Sequence, residues 1–556
     1  MLSRSIPSTR RLRALQHTLT DSIRPNLALL TPRLNFTHYS TRVADVKADE
    51  GARWQGTCTD GEDTKMLIGD QWLSSKATEW FDVRDPSTQR LLTRVPQSTP
   101  SELEHAAQTA QEAFKSWSRT SLLHRQQILL KYQHLIKHHL PDLARSIVLE
   151  QGKTYADALG DVGRGLQVVE SLCALPNEMV GDKLEVSRDM DTYVRRSPLG
   201  VGAVICPFNF PAMIPLWSLP LAIATGNTLL IKPSERDPGA CAILVELAHQ
   251  AGVPPGVINI VHGGVDTVNF LCDSPIIKAI SFVGSNTAGE HIYKRGSANG
   301  KRVQANLGAK NHAVIMPDAS KEATLNALTG AAFGAAGQRC MALSVLVTVG
   351  DAGKWIPDLV RRAKELKVAN GFTDGADLGP VISPQAKNKI ESLIASCEKE
   401  GGEIVLDGRG ASVEGYPDGN WVGPTLLKAK EGMSCHSIEI FGPVLTWIQV
   451  DTLQEAIDLI NRNKYGNGTS IFTNNGATAR YFERNVEAGQ IGINVPIPVP
   501  VPTFAWSGNK ASVLGGHSLY GKLGLEFWTQ NQTVTAFWRS EDASHQKADV
   551  AMPVHN

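Results

Sequence analysis

A doubly wound α/β fold is predicted by three features of this chain. The segment up to about residue 185 reads mainly as helix. From residue 200 short β-branched runs alternate with helical stretches, and a second α/β region runs from about Ala331 to Asn494. Such alternation builds a parallel sheet with helices on its faces.

In chain order, Glu102, Ala106, Ala107, Ala110, Ala113 and Phe114 follow a helical period, as does the stretch from Leu122 to Ile136. The runs VGAVIC, TLLIKP, VINIVHG, IKAISFVG and HAVIMPD read as successive strands. Residues 197 to 231 carry no charge, yet Pro198, Pro207, Pro211, Pro215 and Pro220 interrupt them, so they read as strand, loop and buried helix and not as a membrane span. Asp237 before Pro238 predicts a helix start capped by the aspartate. VLVTVG and KNKIESLIASCEKEGGE supply a strand and a helix of the second region. VPIPVPVP, residues 495 to 502, is expected to be extended without internal hydrogen bonds, as a buried connector between domains or as a proline-rich ligand. LEFWTQNQTVTAF alternates like an edge strand able to pair with another subunit. There are no internal repeats.

The 556 residues, 42% of them hydrophobic, suffice for two to four domains. Equal numbers of basic and acidic residues, 55 each, give no global field for nucleic acid or an anionic membrane. The exception is the leader. Arg4, Arg10, Arg11, Arg13, Arg24, Arg33 and Arg42 are accompanied by one acid, Asp21, so residues 1–43 read as a mitochondrial transit peptide and not as a secretory signal. The eight cysteines lack CxxC spacing, which suggests reduced thiols, no zinc cluster and no disulfide framework.

Five patterns fall in order: CPFNFP at 206–211, IKPSE at 231–235, FVGSNTAG at 282–289, GQRCMA at 337–342 and EIFGPV at 439–444. Cys340 stands out among the thiols, with Gly337 permitting a tight turn, Arg339 adjacent, and Ala332, Ala335 and Ala336 before it. Neighbouring cations would favour its thiolate.

Each pattern alone is weak. Together they resemble the aldehyde dehydrogenase superfamily over nearly the whole chain beyond the leader. The resemblance implies a Rossmann-like NAD-binding domain (60–185 and 200–328), an α/β catalytic domain (329–495) and a small β oligomerisation domain (186–199 and 496–545), assembled as a homotetramer. It also implies that Cys340 adds to an aldehyde carbon as a thiolate. Asn209 and the main-chain N–H of Cys340 would bind the oxyanion. Lys232 and Glu235 would hold the adenosine ribose hydroxyls, where a carboxylate favours NAD over NADP. Gly284 and Ser285 would open a helix toward the pyrophosphate, and Phe208, Glu439 and Phe441 would contact the nicotinamide half. No metal is required.

One position departs from the family. Where most members carry a glutamate in an ELGGK pattern, this chain has Asn306-Leu307-Gly308-Ala309-Lys310. An amide cannot take a proton from water, and a general base is typically worth about 10²- to 10⁴-fold. A thiol needs less help, because part of it is already thiolate. NLGAKNHAV, GQRCMA and VPIPVP together are similar to the coenzyme A-acylating branch of the family. That branch oxidises methylmalonate or malonate semialdehyde, with loss of carbon dioxide, to propionyl- or acetyl-CoA in valine and pyrimidine catabolism. Arg164 and Arg339 are then expected to bind the substrate carboxylate, against a surface ion pair of Arg164 with Asp161. The competing expectations are a hydrolytic aldehyde dehydrogenase using another base and a non-catalytic binding protein of the same fold; retention of Cys340, Asn209, Lys232 and Glu439 argues against the latter.

Overall fold

The computed structural model describes residues 54–516 and 518–541. The segment read as a transit peptide lies outside them. The larger sheet has eight strands, in spatial order Val513–Leu514, Arg302–Asn306, Ile277–Val283, Val201–Ile205, Thr228–Lys232, Ile258–Ile260, Met66–Ile68 and Gln71–Leu73. The middle five are parallel, and antiparallel strands flank them. Val201–Ile205 and Thr228–Lys232 are buried at every position, because helices cover both faces of the sheet. Leu103, Ala106, Ala107 and Ala110 of the Pro100–Trp117 helix pack on one face; the Leu122–His138, Tyr155–Leu172, Met213–Thr225 and Gly239–Ala251 helices pack on the other. The chain leaves Val201–Ile205 toward Thr228–Lys232 and Ile258–Ile260, then returns to add Ile277–Val283 on the opposite side. That reversal opens a crevice at the carboxyl ends of Val201–Ile205 and Ile277–Val283, where ligands of doubly wound sheets bind.

The second sheet has seven strands, with Asn311–Ile315 and Leu343–Val349 near its centre. Leu307 to Lys310 carry the chain from the end of Arg302–Asn306 in the first sheet to the start of Asn311–Ile315 in the second. The two sheets therefore face each other across a four-residue connection. A third sheet pairs Thr529–Phe537 antiparallel with Met190–Pro198 over nine positions and adds Lys183–Ser187. Among the described residues Thr529–Phe537 is an open edge.

Several local expectations are revised. Four short strands between Met66 and Pro96 precede the helices of the amino-terminal segment. Strand Val513–Leu514, within the 496–545 segment expected to be the small β unit, belongs to the larger sheet. LEFW of LEFWTQNQTVTAF closes the Gly521–Trp528 helix, and only the remainder is strand. VPIPVPVP contains one internal hydrogen bond, from Val499 N to the Ile497 carbonyl. Its Ile497 and Val499 pack on the core while Val495 and Val501 are exposed. Finally, Asp237 does not cap the Gly239–Ala251 helix: the Glu150 carboxylate accepts from Gly239 N at 2.8 Å. A side chain brought in by tertiary packing has taken the capping role.

Asn227 joins three parts of this architecture. Its Oδ1 accepts from Leu199 N (2.7 Å) and Gly200 N (3.0 Å), and its Nδ2 donates to the Trp528 carbonyl and to Thr225 Oγ1, both at 2.8 Å. Each buried group left without a partner costs about 1–3 kcal/mol. Asn227→Ala is expected to lower stability by about 3 kcal/mol in denaturant unfolding, and a loss below about 1 kcal/mol would contradict this account.

Candidate active site

The crevice forms a cavity of about 720 Å³ that reaches from Glu235 to Cys340. Phe208 and Asn209 come from the loop after Val201–Ile205, Lys232 and Glu235 from the end of Thr228–Lys232 and the turn beyond it, and Gly284 and Ser285 from the loop after Ile277–Val283. Cys340, Glu439 and Phe441 enter from the second sheet, ahead of strands Leu343–Val349 and Val444–Val450. The structure thus brings these residues, widely separated in sequence, into one lining. Arg339 lies on a smaller recess that also includes Cys340, Glu439 and Phe441.

Cys340 sits on a tightly specified loop. Ala335, Ala336 and Gly337 all have positive φ (51°, 51° and 69°), a conformation that costs about 1–2 kcal/mol for a residue with a Cβ. Gly337 also packs against the Gly442 carbonyl, where a Cβ would clash. Surrounding contacts hold the loop. The Asp157 carboxylate accepts from Ala335 N at 3.0 Å and pairs with Arg339, while the Cys340 carbonyl accepts from Asn311 Nδ2 at 2.9 Å and Asn467 Nδ2 at 3.1 Å.

Asn209 faces this loop. Its Nδ2 donates to the Gln338 carbonyl at 3.1 Å and lies 3.5 Å from Cys340 Sγ, placing an amide N–H where an oxygen on an attacked carbon would develop charge. The Asn209 carbonyl accepts from Lys153 Nζ at 2.7 Å, and the same ammonium donates to Asp161 Oδ2 at 3.0 Å.

The expected activation of Cys340 by neighbouring cations is not what the structure contains. Burial pushes the thiol up to about 11; the Asn209 hydrogen bond and the Lys153 charge oppose that, and the Glu439 charge adds to it. Arg339 spends part of its charge on Asp157. At neutral pH the resting group is therefore the thiol.

At the far end of the cavity Lys232 Nζ donates to the carbonyls of Pro233 (2.8 Å) and Gly263 (2.9 Å) and lies 3.3 Å from Glu235 Oε2. Against the upward push of burial, Lys232 holds the Glu235 carboxyl below its usual range, so a carboxylate faces the cavity. Midway, Ser285 caps the Asn286–Ala298 helix, whose N-terminus opens on the cavity beside Gly284. Near Cys340, Glu439 Oε1 accepts from Ala309 N at 2.8 Å, and a Cβ on Gly308 would come within 2.8 Å of Glu439 Oε2. The Phe208 and Phe441 rings meet edge to face at 5.9 Å, with Phe441 at φ 58°. An extended dinucleotide fits this lining: a carboxylate for ribose hydroxyls, a helix N-terminus for phosphates and a glycine-floored end at the thiol.

Arg164 does not pair with Asp161, which is buried against Lys153 and Met213 N. The Arg164 guanidinium has a 3.5 Å contact with Gln167 Oε1, and its charge opposes the upward push of burial on the Tyr520 hydroxyl. Asn306 is buried, and its Oδ1 accepts from Trp506 Nε1 at 3.1 Å. An indole N–H only donates, so the amide orientation is set with its oxygen toward Trp506.

Asp157, Lys153, Asn311, Asn467 and Trp506 escaped the sequence reading. One signal was available: Asp157, Asp161 and Arg164, spaced by four and three, share a face of a helix. The other contacts are long-range and have no local signature.

Because burial holds the thiol near 11, iodoacetamide modification of Cys340 in the cofactor-free protein is expected to rise about tenfold per pH unit between pH 7 and 10. A plateau below pH 8, read by mass spectrometry of the modified peptide, would refute this.

Comparison with known proteins follows the same lines. Residues 72–534 match the aldehyde dehydrogenase family. The chain is 54% identical over 518 residues to the Bos taurus mitochondrial methylmalonate-semialdehyde/malonate-semialdehyde dehydrogenase [acylating], covering 92% of this chain and 96% of that protein. The crystal structure of methylmalonate-semialdehyde dehydrogenase from Oceanimonas doudoroffii superposes with a TM-score of 0.85 at 40% identity, over 87% of this chain and all (100%) of that one. A Sinorhizobium meliloti structure complexed with NAD gives a TM-score of 0.84 at 37% identity, over 85% and 98% of the two chains. With a family match over residues 72–534 and relatives of this identity and coverage, this chain belongs to the aldehyde dehydrogenase family.

Proposed function

We propose that this chain catalyses the NAD-dependent oxidative decarboxylation of methylmalonate and malonate semialdehydes and transfers the acyl group to coenzyme A, forming propionyl- or acetyl-CoA. The observation that carries the acylating reading is Asn306: a buried amide, unable to take a proton from water, at the position where the family pattern has a glutamate. The printed names of the bovine and Oceanimonas relatives support the substrate class.

Cys340 gives its proton to solvent water and its sulfur bonds to the aldehyde carbon, while the carbonyl π pair moves to oxygen. Asn209 Nδ2 and the Cys340 N–H stabilise that oxyanion. NAD would be held by Lys232, Glu235, Gly284, Ser285, Phe208, Glu439 and Phe441 and, when bound, would supply the hydride acceptor needed for a thioester to form on Cys340. The thioester carbonyl then lies β to the substrate carboxylate. Cleavage of the bond to the carboxylate releases carbon dioxide, its electron pair passes into the thioester carbonyl, and the α-carbon takes a proton from solvent. Coenzyme A thiolate attacks the remaining thioester; the bond to Cys340 breaks and the sulfur leaves as thiolate.

Arg339 and Arg164 bind the substrate carboxylate in this reading. Asp157 aims Arg339 beside Cys340 and leaves it further N–H groups. The Arg164 charge is felt at Tyr520, whose ring lies 5.1 Å from Trp217 in the apolar cluster against which Cys340 packs. A homotetramer assembled through the open Thr529–Phe537 edge and a mitochondrial matrix location complete the proposal; the bovine relative is named mitochondrial.

Product analysis with methylmalonate semialdehyde tests the function. Without coenzyme A the wild type is expected to release one equivalent of NADH and stall as an acyl-enzyme; with it, turnover resumes and propionyl-CoA accumulates. Cys340→Ala should give no burst while still binding NAD. Steady release of free acid, unaffected by coenzyme A, would establish hydrolysis instead.

Arg164→Leu and Arg339→Leu are each expected to lower kcat/KM for the carboxylated semialdehyde by about 10²-fold, corresponding to the loss of a charge-assisted contact, and to change propanal oxidation far less. Equal losses on both substrates would remove the recognition role.

A further inference from the structure

Lys153 is an internal lysine that the reaction as written does not use. It is 2% exposed, in the short connection between the Leu140–Gln151 and Tyr155–Leu172 helices. Burying an ammonium is costly unless its protons all find acceptors. Here they do: Asp161 Oδ2 at 3.0 Å, the Asn209 carbonyl at 2.7 Å and the face of Phe210 at 4.3 Å. Two of those three acceptors belong to the CPFNFP loop, and Asn209 carries the amide that meets Cys340 Sγ at 3.5 Å.

The backbone of Lys153 has little freedom to give way. Gly152 before it has φ 90°, Lys153 N donates to Gln151 Oε1 at 3.0 Å, and Gly371 packs so closely on the Lys153 carbonyl that a Cβ would collide with it. Asp161 is equally constrained, since its Oδ1 accepts from Met213 N at 2.7 Å, beyond the far end of the same loop. The carboxylate thus grips the loop twice, once directly and once through the ammonium. Burial pushes the Glu150, Asp237 and Asp161 carboxyls all upward, Glu150 to about 8, but only at Asp161 does the Lys153 ammonium oppose it by direct contact, at 3.0 Å.

We propose that Lys153 is a positioning residue for the Cys340 chemistry: clamped by Asp161, it fixes the Asn209 peptide so that the Asn209 amide meets the sulfur and the oxygen that develops beside it. The inference rests on the reading of Cys340 as nucleophile. Lys153 touches neither the sulfur nor the carbon it attacks, so its effect passes through Asn209 and, more weakly, through its charge, which favours the thiolate.

The test uses the full-length protein and the double substitution Lys153→Met with Asp161→Asn, which removes both buried charges at nearly constant volume and keeps an acceptor for Met213 N. NAD binding, followed by fluorescence, and the unfolding midpoint report an intact fold. The NADH burst with methylmalonate semialdehyde is expected to slow by about 10²-fold, the scale of losing one oxyanion donor. The midpoint of Cys340 alkylation by iodoacetamide is expected to move to higher pH. The single Lys153→Met, in which Asp161 can take up a proton, gives the same two readouts should the double variant not fold. A folded variant with the wild-type burst overturns the proposal, and so does a slowed burst with an unchanged alkylation profile, which would mean general damage. Alkylation needs no substrate; a wild type that gave no burst would therefore sink the functional reading and leave the Lys153 measurement standing.

Discussion

The Tyr155–Leu172 helix carries two carboxylates one turn apart, and the active centre depends on where they are. Asp157 holds the nucleophile loop through Ala335 N and Arg339, and Asp161 holds the facing loop through Lys153 and Met213 N. The loops come from different sheets, so no local interaction could set the 3.5 Å approach of Asn209 to Cys340. One rigid helix registering both replaces a long chain of weak couplings with two short ones. Its opposite face is anchored in the core by residues such as Val162, Leu166 and Val169, which is why the carboxylates can be relied on to stay in place.

The price of that arrangement is buried charge and backbone strain around a thiol that is itself hard to ionise. Two alanines stand in the left-handed region five and four residues before it, and the Cys340 carbonyl is fixed by two asparagine amides. A thiol held near 11 stays largely protonated while the site is empty, which limits side reactions. The same donors that poorly stabilise a resting thiolate are set for an oxyanion on the attacked carbon. Preorganised dipoles of this kind act on charge as it develops and need no rearrangement then.

Asn306 and Trp506 extend the same logic to the choice of acyl acceptor. Asn306 ends a strand of the larger sheet, and Trp506 arrives from the segment that follows the proline-rich stretch. Their hydrogen bond fixes which way the amide points, with its oxygen on the indole N–H. An amide takes no proton at neutral pH whichever way it points, so a nucleophile that must be deprotonated on site finds no base in this side chain.

Residue patterns by themselves determined the fold class, the succession of the central strands along the chain and the family, and they named the residues that the crevice brings together, since alternating β-branched runs and five ordered motifs are properties of neighbouring residues. Even the departure at Asn306 was legible, because it lies inside a motif. Helix capping at Gly239, the orientation of the Asn306 amide and the partners of Asp157 and Asp161 were not. Asp161 was the alternative partner offered for Arg164, three residues away; the folded chain turns it inward to Lys153, because a helix face that packs on the Met213–Thr225 helix must bury what it carries. Burial also reversed the expectation for Cys340, where adjacent Arg339 promised a thiolate and desolvation outweighed it. Pairing across 50 or 200 residues, and the loss of water around a charge, exist only once the chain has folded, and those were the terms that tertiary structure alone decided.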